Sequence, residues 1–143
     1  AEYVLPGNYM VGANVSSNYL IDKDKIPTGF VTFFNTPKYR YNLSFGNRNV
    51  RGTGFGFNVV YRQQDSFLWE GSFGSTEATA RQQTIIPSYS TLDAQVSKKL
   101  TGFKSILKVG GTNLTGKLYT QAWGNPSVGS MYYISLTFDQ LMN

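Results

Sequence analysis

Apolar and polar residues alternate with a period of two in six separate segments of this chain, and few folds accommodate that pattern. Successive side chains of an extended strand point to opposite sides, so each segment reads as a strand with one apolar and one polar face. In the first, Tyr9, Val11, Ala13, Val15 and Tyr19 oppose Gly12, Asn14, Ser16 and Asn18. The second sets Tyr39, Tyr41, Leu43 and Phe45 against Arg40, Asn42, Ser44 and Gly46. The third sets Phe55, Phe57, Val59 and Tyr61 against Gly54, Gly56, Asn58 and Arg62. The fourth opposes Leu92, Ala94 and Val96 to Asp93, Gln95, Ser97 and Lys99; the fifth opposes Leu107 and Val109 to Lys108 and Gly110, with Ile106 on the polar side. The last places Tyr132, Ile134, Leu136 and Phe138 opposite Tyr133, Ser135 and Thr137. Each is close to the ~9–11 residues with which a tilted strand crosses a bilayer. No stretch shows convincing helical periodicity.

The connections alternate in length. "LPGN", "NRNVRGT" and "TGFK" are tight, whereas "IDKDKIPTGFVTFFNTP", "DSFLWEGSFGSTEATARQQTIIPS" and "TGKLYTQAWGNPSVG" are long. Short turns at one end and long loops at the other are the mark of an outer-membrane β-barrel, with the turns in the periplasm. Tyr9 and Tyr19, ten steps apart, would be separated by roughly 23 Å along the membrane normal at ~3.3 Å per residue and a ~45° tilt. That separation matches an apolar band ~25 Å tall with an aromatic girdle at each edge. In water the terminal strand, with its row Tyr132, Ile134, Leu136 and Phe138, would be an aggregation hazard; lipid on its face and neighbouring strands at its edge would remove the hazard. The expectation is an all-β chain: an antiparallel transmembrane β-barrel segment of about six strands plus a stub at "AEYVL". Six strands and a stub cannot close a membrane barrel, the smallest of which have eight, so residues 1–143 would be part of a larger one. A soluble β-sandwich also alternates and is the competing reading, although its inner face normally carries fewer tyrosines at the strand ends.

The chain has neither Cys nor His, which removes disulfides, thiolate or imidazole nucleophile systems and the commonest metal ligands. No catalysis, cofactor or metal is expected. The net charge is +5, but the 13 basic residues are scattered rather than gathered in a stripe, so no nucleic-acid partner is expected. The sequence begins at Ala1 without a leader, and reads as a mature form, a processed piece or a segment of something longer.

Four stretches in order resemble the TonB-dependent outer-membrane receptors. "FNTPKYRYNLSF" is similar to the family's Thr-Pro-Lys/Arg loop feeding a descending strand, here Thr36, Pro37 and Lys38. "GFGFNVVYRQQDSF" is similar to the ascending strand ending in Tyr-Arg and an acidic residue, here Tyr61, Arg62 and Asp65. "IPSYSTLDAQVSKKL" resembles the strand start with Pro87, Ser88, Tyr89 and Asp93. "GGTNLTGKLYTQAWGNPSVGSMYYISLTF" resembles the Asn-Leu-x-Asp/Asn-Lys-x-Tyr box, a Gly-x-Pro loop and the terminal aromatic strand, with Gly116 in the usual Asp or Asn place. The resemblance implies the C-terminal strands of a 22-stranded barrel whose plug domain and TonB-box segment are not in this sequence. It implies nutrient import (siderophore, glycan, peptide or cofactor) across a Gram-negative outer membrane. The implied partners are membrane lipid, the remaining barrel strands and plug, the TonB complex and the barrel-assembly machinery. Alternatives are a separate small barrel or structural subunit of a multichain outer-membrane complex, and the soluble sandwich as a binding module.

On the barrel reading Arg62, Asp93, Lys99 and Lys108 face the lumen, and Lys98, on the apolar face near the periplasmic end, snorkels to the interface. Loop aromatics are candidates for substrate contact: Phe67, Trp69, Tyr119 and Trp123, with Phe73 in the same loop as Phe67 and Trp69. The resemblance makes residues 129–138 an assembly signal strand carried by Gly129, Tyr132, Ile134, Leu136 and Phe138. Gly52, Gly54 and Gly56 alternate as in a strand rather than opening a helix, which favours a smooth lumen face over a phosphate loop.

Overall fold

The computed structural model describes residues 1–25, 34–72 and 81–138. Its strands are β1 (Glu2–Leu5), β2 (Tyr9–Ser17), β3 (Tyr39–Asn47), β4 (Phe55–Gln64), β5 (Phe67–Ser72), β6 (Arg81–Ile86), β7 (Tyr89–Leu100), β8 (Ser105–Thr112) and β9 (Met131–Phe138). Seven form one antiparallel sheet in the order β1-β2-β3-β4-β7-β8-β9, and β5 pairs with β6 in a separate hairpin. The sheet is a meander in which chain neighbours are spatial neighbours, interrupted by the hairpin between β4 and β7.

The register sorts the side chains. A row perpendicular to the strands runs Tyr3, Val11, Phe45, Val59, Ala94, Gly111, Tyr132. Beside it runs Phe57, Val96, Val109, Ile134. This face is apolar throughout its middle. The opposite face carries Arg40, Asn42, Ser44, Asn58, Arg62, Thr91, Asp93, Gln95, Ser97 and Lys108. At β1 the perpendicular row lies next to the turn, whereas by β8 it has moved toward the long-loop end, a stagger that goes with tilted strands.

No second layer covers the apolar face among the described residues. The one buried hydrophobic side chain among the described residues, Ile86 at 3% exposed, belongs to the β5–β6 hairpin, whereas Tyr132 and Ile134 on the sheet face remain 74% and 73% exposed. Burying a large apolar side chain contributes about 1.5–3 kcal/mol, and here that contribution is uncollected over a whole sheet face. Near the short-turn end of this face Tyr9 stacks on Phe45 at 5.8 Å, and Phe57 meets Phe45 edge-on at 5.4 Å.

The short turns lie at one end of the sheet and are cross-linked. Asn47, fully buried, donates to Gly7 O in the neighbouring turn at 2.8 Å and accepts from Asn49 N–H at 2.8 Å. Lys98 reaches Thr53 O in the β3–β4 turn at 2.9 Å, so its ammonium leaves the apolar face for the turn, as snorkelling requires. Two adjacent tyrosines of β9, Tyr132 and Tyr133, lie against a glycine pair of β8, Gly111 and Gly110, from opposite faces of the sheet. A Cβ at Gly110 would stand 2.7 Å from Tyr133 Oη. The absence of one lets that hydroxyl cross β8 and donate to Gln95 Oε1 on β7 at 2.8 Å.

The six alternating segments are all strands of the sheet, and the stub is β1. Three details differ. The stretch read as one long loop between β4 and β7 contains the β5–β6 hairpin, so Phe67 and Trp69 sit on a strand rather than in irregular chain. One face of this ribbon, with Phe67, Trp69 and Ile86, is the less exposed, but Leu68 and Ile85 make the other face apolar as well, so its sequence does not alternate. Gly52 and Gly54 belong to the turn before β4, and only Gly56 of the three lies in the strand. Tyr19 falls beyond β2, which ends at Ser17, where Asn18 turns toward the loop by donating to Pro37 O.

Candidate functional site

The long-loop end of the polar face holds a hollow of about 340 Å³. Pairing register alone builds its floor: Arg40 lies opposite Gln64, Asn42 opposite Arg62, Arg62 opposite Thr91 and Gln64 opposite Tyr89. Three adjacent strands thus bring Arg40, Arg62, Gln64 and Tyr89 together. One wall comes from the β8–β9 loop, where Tyr119 stacks on Tyr89 with ring centroids 4.1 Å apart. A bridge in which Tyr119 and Val128 exchange backbone hydrogen bonds of 3.2 and 2.8 Å folds that loop back on itself and fixes the ring.

Beside the hollow is a buried polar knot. Asp93, its side chain 12% exposed, pairs with Arg62, whose side chain is 52% exposed, and accepts Asn113 N–H at 2.9 Å. Asn113, 2% exposed, donates to Lys117 O at 2.9 Å and accepts from Thr115 Oγ1 at 2.8 Å, while Ser130 Oγ donates to Asn113 O at 2.7 Å. The carboxylate therefore ties β4 and β7 to the start of the β8–β9 loop, and Asn113 ties that start to Ser130 at the loop's end. Gly116 bonds back to Asn113 O at 2.9 Å with φ of 73°. This left-handed backbone is open to Gly and tolerated by Asn or Asp. The turn is thereby formed with glycine at this position.

Of the lumen-facing candidates, Arg62 and Asp93 are thus brought into contact. Lys99 and Lys108 lie toward the short-turn end, around a second hollow of about 600 Å³ that also takes in Arg48, Asn58 and Gln95. Of the four aromatic candidates, Tyr119 is the one that lines the upper hollow. Phe67 and Trp69 share a face of β5, where the Trp69 ring lies over Gly71 and leaves no room for a Cβ. Asn35 clamps the same strand, donating to Glu70 O at 2.8 Å and accepting Glu70 N–H at 2.7 Å. Trp123 sits exposed in the turn where Asn125 N–H bonds Ala122 O. Phe73 lies outside the described residues. On β9, Tyr132, Ile134, Leu136 and Phe138 share the apolar face and pair with Gly111, Val109, Leu107 and Ser105; Gly129 precedes the strand. Sequence reasoning did not single out Gln64, placed Arg40 only on a polar strand face, and included Asn113 only as the first residue of the Asn-Leu-x-Asp/Asn-Lys-x-Tyr box. Arg40 carried a signal, being a cation on a polar strand face.

Comparisons with protein-family models, with curated proteins and with solved structures find no match to this chain.

Proposed function

We propose that this chain forms part of the wall and the long-loop surface of an outer-membrane β-barrel, the C-terminal portion of a TonB-dependent receptor that imports a nutrient. The observation that carries the reading is the single seven-stranded sheet with an uncovered apolar face and a polar opposite face. Acyl chains are the natural cover for a face of that height and composition. A β-sandwich would need a second sheet against it, and the two-stranded β5–β6 hairpin is too small for that part.

Strand direction supports a larger barrel over a ring of identical copies. Adjacent strands alternate in direction, so the first and last of seven, β1 and β9, both run toward the short turns. A second copy in the same membrane orientation would present edges running the same way, and every junction between copies would be parallel. Closing the sheet with antiparallel pairs throughout takes an odd number of additional strands. The 22-stranded barrel of the resembling family meets that condition. In this reading the plug and the TonB contact belong to parts of the receptor beyond this sequence, and β9 is the strand presented to the barrel-assembly machinery.

The test is the intact mass of the native protein extracted from membranes with detergent. A mass many times that of this chain, with this sequence at its C-terminal end, supports the receptor reading. A mass equal to this chain alone overturns it in favour of a separate subunit, and recovery in the water-soluble fraction overturns the membrane reading altogether.

A further inference from the structure

We infer that the upper hollow is a subsite for the anionic group of a small solute, a carboxylate or phosphate, with Arg40 as its principal contact. The inference rests on the importer reading for its purpose and on the polar face for its geometry.

Two guanidinium groups border the hollow, and they differ in circumstance. Arg62 is neutralised by Asp93. Arg40 makes no ion pair or hydrogen bond with a described residue: Asp65, next in the chain to the Gln64 opposite Arg40, does not line the hollow, and Asp93 is already engaged by Arg62 and Asn113 N–H. The rest of the lining is amide, hydroxyl and phenol side chains, among them Asn42, Gln64, Thr91, Tyr89 and Tyr119, with no carboxylate. The hollow is therefore cationic and rich in donors, which is the complement of an oxyanion. A guanidinium offers two parallel N–H groups to a carboxylate or phosphate, a geometry that an ammonium cannot reproduce. The volume of about 340 Å³ lies at the lower end of small-molecule sites, ~300–1,000 Å³, so the solute is the size of one sugar acid rather than a chain of them. The stacked Tyr89–Tyr119 pair gives the hollow a wall held by a loop on the solvent side, where a solute from outside arrives first.

The same chemistry has a second source, a carboxylate belonging to another part of the polypeptide, and the experiment separates the two. Thermal unfolding of the whole native protein, in whichever fraction it is recovered, is followed with glucuronate, inorganic phosphate and, as the uncharged match to glucuronate, glucose. At least one anion is expected to raise the midpoint while glucose does not. Arg40→Gln is expected to weaken that anion about tenfold or more, Arg40→Lys less, and Lys104→Gln, which removes a charge in a short turn, not at all. Equal anion responses in wild type and Arg40→Gln, or none in wild type, overturn the inference. So does a midpoint that falls in Arg40→Gln before any anion is added, with no anion response in wild type, since the cation is then held by an internal carboxylate. None of these readouts depends on transport or on membrane origin, so the importer reading can fail in its own test while this one stands.

Discussion

Replacing Asp93 tests the polar knot, because its two partners are of different kinds. Arg62 is half-exposed, and its pairing with Asp93 is screened by solvent; such pairs are worth about 0–1 kcal/mol. Asn113 N–H is buried and has the Asp93 carboxylate as its acceptor. Leaving a buried donor unmet costs about 1–3 kcal/mol, more toward the upper figure when the lost acceptor is charged. Asp93→Ala therefore removes about 2–4 kcal/mol from the folded protein, while Asp93→Asn, which keeps an oxygen for Asn113 and gives up the charge, removes about 1 kcal/mol. Urea unfolding of the protein in lipid vesicles, followed by tryptophan fluorescence, measures both. Proteolysis of the β8–β9 loop should rise in the alanine variant and stay near wild type in the asparagine one. Equal losses in the two variants, or a loss below about 0.5 kcal/mol for alanine, would refute the reasoning, because the Asn113 contact would then carry no weight.

Leu43→Arg on the apolar face should cost about 2–4 kcal/mol in a bilayer, whereas Asn14→Arg, exposed on the polar face of β2, should be near neutral; urea titration in vesicles gives both, and similar costs would count against lipid contact. Gly110→Val should displace Tyr133 from its path to Gln95 and destabilise by about 1–3 kcal/mol, with Tyr133→Phe losing only the hydrogen bond, about 1 kcal/mol; a neutral valine would show that the crossing is unimportant. Asn47→Ala should cost about 1–3 kcal/mol by freeing the β1–β2 and β3–β4 turns from one another, read as faster hydrogen exchange at both; exchange confined to one turn would contradict a shared latch.

The sheet was legible because a strand with lipid or core on one side and polar surroundings on the other must alternate, and nothing local overrides that rule over Tyr39–Asn47 or Met131–Phe138. The hairpin was not legible, because Phe67, Leu68 and Trp69 follow one another without a polar break and Ile85 and Ile86 are adjacent. Arg62 and Asp93 could be assigned to one face but not to each other, since their meeting depends on a register that sets Val60 opposite Asp93 and Arg62 opposite Thr91. The upper hollow was hidden for the same reason: Arg40 and Tyr119 are far apart in the chain, and only strand pairing and the folded β8–β9 loop bring them to one rim.

The pattern of connections also sets an order of assembly. Three tight turns pair β1 with β2, β3 with β4 and β7 with β8, and hairpins closed over a few residues form in about 1–10 μs, ahead of contacts that span long loops. The last strand stands outside this arrangement. β9 has no tight-turn partner and must reach β8 across the loop that Asn113, Lys117 and Ser130 hold together. It is the strand that waits longest unpaired, with both edges and the row Tyr132, Ile134, Leu136 and Phe138 on offer, and so the one another protein has the most time to grasp.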